Sequence, residues 1–240
     1  MTIEVAYPCV RGGLEPRALT ARQIWTIAEQ VRRQFRPRYG KPSVDVDRLM
    51  LASRSMKVNG VAVAAHWDFN LQVRDKDGRE ALGMTEVNRA LSGVVMISLN
   101  TELIAERDYL KRSTLAHELG HALFDGPSML RTAGQPAFCM VTPDEAHLAT
   151  RTSGGGDWRE FRANEFMGAL LVPRPLLHRE LVRRSIALSL PLLDRGEDQP
   201  VLRAAGDPVR VEELLFDLAE RFGVSTAFIG SRLRRYALVQ

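Results

Sequence analysis

Two histidines one helical turn apart, with a glutamate after the first, constrain this chain more than any other feature. They form His117-Glu118-Leu119-Gly120-His121, inside a run at 105–124 whose Leu110, Leu115, Leu119, Ala122 and Leu123 recur at helical spacing. Asp125-Gly126-Pro127 closes that run. Residues i and i+4 of a helix share a face, so both imidazoles can reach one ion. Zinc takes imidazole nitrogen at about 2.0–2.1 Å in a tetrahedron. Glu118 lies at the edge of the same face, where it can reach a water on the metal without binding the metal. Gly120 leaves room on the helix. It costs about 1 kcal/mol against alanine, and a purely structural helix has no evident need of it. The pattern predicts a hydrolytic metal centre, and a fold that must bring a third ligand to this face.

A catalytic zinc takes three protein ligands and keeps one position open. The remaining histidines, His66, His147 and His178, are candidates. So are Glu160 and Glu165 on a helix expected at 158–171, which Pro173 and Pro175 end. Glu160 stands two residues inside the start of that helix, where a carboxylate also suits the helix dipole.

The rest of the chain supplies a scaffold. At 240 residues it can form one domain with a full core, or a main domain with a small appendage. Hydrophobic residues make up 45% and charged residues 26%, which sets aside disordered and fibrous classes. Net charge is +4, and every basic residue other than Lys41, Lys57, Lys76 and Lys111 is arginine. That permits contact with nucleic acid but also describes an ordinary solvated surface. Cys9 and Cys139 fit no paired metal-binding spacing and read as free thiols in a reducing compartment. The N-terminus lacks the basic start and apolar core of a signal peptide, and no apolar run spans a membrane. A cytoplasmic protein is expected.

Along the chain, 18–35 reads as a helix with Thr20 as N-cap, and 44–56 as a second with Leu49, Met50 and Leu51 inward. Strands are expected at 58–69, with a turn at Asn59-Gly60, and at 93–99; Asp75 to Gly78 reads as a hairpin turn. The stretch 126–157, ending in Ser153-Gly154-Gly155-Gly156, reads as a long irregular loop. A basic helix follows at 175–185, then a linker rich in Pro, Gly and charge.

The segment Glu160-Phe161-Arg162-Ala163-Asn164-Glu165-Phe166-Met167-Gly168-Ala169-Leu170-Leu171-Val172-Pro173 resembles the E-x-x-A-N-x-F-A-x-x-L-L-x-P signature of the ImmA/IrrE metallo-endopeptidases. It follows the histidine motif at the spacing seen in that family. Met167 replaces the usual alanine, at a packing position. The resemblance covers 93–173. It implies His117, His121 and Glu160 as zinc ligands, with manganese an alternative ion, and Glu118 as general base. Asn164, one turn beyond Glu160, would orient a ligand histidine. The strand Val94 to Leu99 would bind substrate as an added strand. An oxyanion donor is open among His147, Tyr109 and Arg162. The resemblance further implies an endopeptidase that cleaves a helix-turn-helix repressor and switches on mobile-element or stress genes.

The C-terminal 209–238 reads as helix, turn, helix. Gly223-Val224-Ser225 makes the turn, Ser225 caps the second helix, and Arg232, Arg234 and Arg235 lie on it. Such arginines would suit DNA phosphates or a protein partner. The expected architecture is α+β, with helices packed on a small mixed sheet in a zincin-like manner. Its units are a metallopeptidase domain at 1–185, a linker at 186–208 and a helix-turn-helix-like unit at 209–240. The alternative reading is a DNA-binding or toxin–antitoxin regulator whose metal site is structural or accessory.

Overall fold

The computed structural model describes residues 2–35, 42–69, 72–74, 78–87, 92–105, 107–131, 138–141, 158–193, 200–203 and 207–240. The fold is α+β. Among the described residues its sheet has six strands, β1 (Ile3–Val5), β2 (Met56–Val58), β3 (Val61–Asp68), β4 (Gly83–Val87), β5 (Val94–Leu99) and β6 (Phe138–Val141), in the order β1-β2-β3-β5-β4-β6. Two pairings are parallel, β1 with β2 and β3 with β5; the others are antiparallel. Asn59 and Gly60 both take positive φ (49° and 82°), which matches the twist of the two-residue turn between β2 and β3. Arg74 and Glu80 bridge in antiparallel fashion, as a hairpin requires, although the turn residues 75–77 lie outside the described residues.

Helix α1 (Ala21–Gln34) starts at Thr20 with a capping box. The Thr20 hydroxyl accepts from Gln23 N, and the Gln23 side chain accepts from Thr20 N. Helix α2 (Val46–Ser53) buries Leu49, half-buries Met50 and leaves Leu51 59% exposed. Leu51 therefore does not face inward as expected, because a two-turn helix on the rim has only a narrow buried stripe. Asn100 ends β5 and caps the short α3 (Thr101–Ile104) through its side chain. The central helix α4 runs Asp108–Phe124, so it begins three residues later than the periodicity suggests. Asp125 closes α4, and α5 (Gly126–Arg131) follows at once. The stretch expected as irregular thus holds a helix and the edge strand β6; its residues 132–137 and 142–157 lie outside the described residues.

Helix α6 (Trp158–Leu171) has the predicted bounds, and α7 (Arg174–Ala187) follows the Pro173 N-cap. The segment expected as a linker contains β7 (Leu192–Leu193) and β8 (Val201–Leu202), paired antiparallel, with both β8 side chains buried. Helices α8 (Pro208–Phe222) and α9 (Thr226–Arg235) complete the chain. Their Leu214, Leu218, Phe222, Ile229 and Leu233 belong to the same buried cluster as Leu119, Phe166 and Val63.

α4 is packed between the sheet and α6, and α6 packs in turn against α1. From Ser113 to Phe124 every residue of α4 is buried, so the helix is enclosed rather than amphipathic. Gly120 explains how α6 comes so close. A β-carbon at Gly120 would stand 3.0 Å from the Cα of Ala163. The glycine that looks needless from the sequence is what lets the two helices touch backbone to backbone. Among the described residues no helix is long and apolar enough to cross a membrane.

Candidate metal centre

The close approach of α4 and α6 brings His117, His121 and Glu160 together. The two Nε2 atoms are 3.0 Å apart. Glu160 Oε2 lies 3.3 Å from His117 Nε2, and Oε1 lies 3.1 Å from His121 Nε2. Both histidines are buried, while the Glu160 side chain keeps 28% of its exposure, so the cluster opens to solvent on one side.

The far nitrogens are anchored. Nδ1 of His117 is 3.1 Å from Asn164 Oδ1, and Nδ1 of His121 is 3.0 Å from Asp125 Oδ2. Each partner is an acceptor, so each neutral ring carries its proton on Nδ1 and turns a bare Nε2 lone pair toward its neighbours. Two lone pairs and a carboxylate converging within these distances repel one another unless a cation lies among them. Tetrahedral ligands about 2.0–2.1 Å from zinc stand ~3.3 Å apart, close to what this triad shows. The donor set therefore fits a divalent cation with an affinity for imidazole.

Asp125 is a member of the site that the sequence reading missed. It is buried, and its Oδ1 accepts from Arg162 Nη2 at 2.6 Å. Burial works against its charge, but the bonds from His121 and Arg162 outweigh that and hold its carboxyl below the usual range. Glu160 behaves similarly. Burial opposes its ionisation, and the imidazoles of His117 and His121 beside it hold it well below an ordinary glutamate. Glu118 goes the other way, because complete burial pushes its carboxyl up despite His117, His121 and a hydrogen bond from Thr85. A glutamate disposed to hold a proton next to a cluster of bare lone pairs can do acid–base work.

The other candidates lie elsewhere. His66 is exposed on β3, and His178 Nε2 is 2.8 Å from the carbonyl oxygen of Pro200. Glu165 is occupied by Trp25, Arg232 and Arg235. His147 lies outside the described residues. Arg162 is spent on Asp125, and Tyr109 packs half-buried beside a satellite cluster with Leu82 and Leu99. The strand expected to receive substrate, β5, is flanked on both sides by β3 and β4, so it has no free edge. Strand order depends on long-range pairing, which short β-branched runs do not encode.

The arginine row of the last helix also breaks up. Arg232 is 1% exposed, with Nη1 3.5 Å from Glu165 Oε2 and its guanidinium 4.4 Å from the Tyr236 ring centroid. Arg235 Nε is 2.7 Å from Glu165 Oε1. Arg232 is therefore turned into the fold rather than toward solvent; of the three, Arg234 alone is exposed.

No curated protein matches the chain. The family model described as the IrrE N-terminal-like domain, a peptidase family, matches residues 96–234, from β5 through nearly all of α9. That span includes both helices of the candidate metal centre and more than half of the sequence, and the chain belongs to this family of metallopeptidases.

Proposed function

We propose that the protein is a zinc-dependent endopeptidase that cuts a peptide bond in a specific regulatory protein, a helix-turn-helix repressor, and so relieves repression. The observation that carries the metal half of this reading is the convergence of His117 Nε2, His121 Nε2 and a Glu160 carboxylate, with both Nδ1 atoms tied back to acceptors. In this reading those three residues are the ligands. Asn164 and Asp125 orient the rings. Zinc bound there supplies Lewis acidity toward a peptide carbonyl and an attacking water. Glu118 takes the proton from that water and delivers it to the leaving amine. Manganese suits the carboxylate but takes imidazole less strongly than zinc, so zinc is the first ion to try.

The substrate class rests on the family. A DNA-binding role draws no support from Arg232 and Arg235, whose charges are spent on Glu165. The test is to incubate the zinc-loaded protein with a helix-turn-helix repressor encoded beside it and follow the products by mass spectrometry. The wild type should give two fragments from one bond. Glu118→Gln should keep its zinc and give none. Cleavage by Glu118→Gln at the wild-type rate would remove Glu118 from the mechanism. A repressor left intact by the zinc-loaded wild type would remove the repressor from the account.

A further inference from the structure

The glutamate of the central motif is held by a strand that lies outside the motif. Thr85 on β4 is wholly buried and donates its hydroxyl proton to Glu118 Oε2 at 2.6 Å. The other oxygen, Oε1, is also buried, and among the described residues it has no hydrogen-bond partner. Gly83, two residues earlier on the same face of β4, borders it. A β-carbon there would stand 2.8 Å from Oε1 and 2.9 Å from Thr114 Cγ2. One carboxylate oxygen is thus engaged and the other left bare, in a niche that only glycine leaves open.

The burial of Thr85 sets this apart from incidental packing. Thr85 faces inward in register with Ile97, among apolar neighbours where valine would match its shape. A hydroxyl there loses its water and is compensated only by Glu118. The bond is charge-assisted when Glu118 is ionised, the stronger kind. It also removes a freedom that matters, because the terminal torsion of a glutamate is broad and nearly two-fold.

We propose that Thr85 is a positioning residue for Glu118. Its hydroxyl pins Oε2, so that Oε1 is the oxygen that acts as base, and Gly83 keeps the space beside Oε1 clear. The inference rests on the hydrolase reading above. In the step it serves, one O–H bond of water breaks and its proton goes to Oε1. The water oxygen bonds to the carbonyl carbon. The C–N bond then breaks as the proton passes from Oε1 to the leaving nitrogen. Nothing is oxidised or reduced.

The test compares wild type, Thr85→Val, Thr85→Ser, Gly83→Ala and Glu118→Gln, all zinc-loaded, on the helix-turn-helix repressor of the test above. Zinc affinity is read by competition with a chromophoric chelator, and folding by circular dichroism. Thr85→Val should lose roughly ten- to hundredfold in kcat, the scale of one misplaced acid–base group, with KM and zinc affinity within about threefold of wild type. Thr85→Ser should recover kcat to within about threefold, and Gly83→Ala should fall as Thr85→Val does. A folded, zinc-loaded Thr85→Val with wild-type kcat overturns the proposal, as does a Thr85→Ser no better than Thr85→Val. Should Thr85→Val not fold, Thr85→Ser and Gly83→Ala decide it alone. A wild type that cuts nothing sinks the hydrolase reading and this proposal together. A wild type that cuts while Thr85→Val is unimpaired sinks this proposal only.

Discussion

Asp125 does for His121 what Asn164 does for His117, but with a negative charge. It accepts from Nδ1 and is itself held by Arg162, two residues after Glu160. The two helices therefore share a second set of bonds behind the first. Asp125→Ala should weaken zinc binding roughly 10–100-fold, as loss of an outer-shell partner of a metal-binding histidine does. Chelator competition measures this, and unchanged affinity would show that His121 needs no orienting partner. His117, His121 and Glu118 were legible because helical periodicity puts them on known faces, whereas Glu160 was one candidate among several until the resemblance singled it out. Asp125 was legible in principle, since it stands four residues beyond His121, one turn further along the same face. The reading of Asp125-Gly126-Pro127 as a stop signal hid it. Thr85 and Gly83 were not legible, because they reach Glu118 across more than thirty residues through sheet packing that no local pattern records.

At the level of elements, α6 is gripped from both sides. Gly120 admits it to α4, and the Glu165 carboxylate draws Arg232 and Arg235 of α9 onto its outer side. Gly168 makes the room, since a β-carbon there would collide with the Arg232 guanidinium. Removing one partner of a buried ion pair leaves the other uncompensated. Arg232→Ala should therefore cost about 3–5 kcal/mol of stability by chemical denaturation, whereas Arg232→Met, which fills the space, should cost less. Equal, negligible losses would make α9 an ornament on the fold. The longer helices were legible to within a few residues, because caps such as Thr20 and Ser225 are local, whereas the short α3 and α5 were not. The inward turn of Arg232 was readable too: it stands three residues after Ile229 and one before Leu233, on the buried stripe. The reading weighed its charge above its position. The place of β5 inside the sheet was not readable, because its neighbours β3 and β4 reach it by pairings, one parallel and one antiparallel, that no local pattern records.

At the level of the molecule, the sheet, α4 and α6 form one stack, and the candidate metal centre sits where the two helices meet. The family match begins at β5 and runs through most of α9, so the C-terminal helices fall within the same unit of resemblance as the site. That agrees with their packing, since the Tyr236 hydroxyl donates to the carbonyl of Val172, next to the proline that ends α6. The α+β class was legible from the alternation of patterns, and the third ligand from the resemblance. The central claim is that residues from two separate helices, and not the histidine motif alone, hold one metal ion. Zinc content of the purified protein, measured by mass spectrometry of the element, tests it most directly. Wild type and Glu118→Gln should each carry about one zinc per chain, while His117→Ala and Glu160→Ala should carry almost none. Stoichiometric zinc in a folded Glu160→Ala would contradict the account.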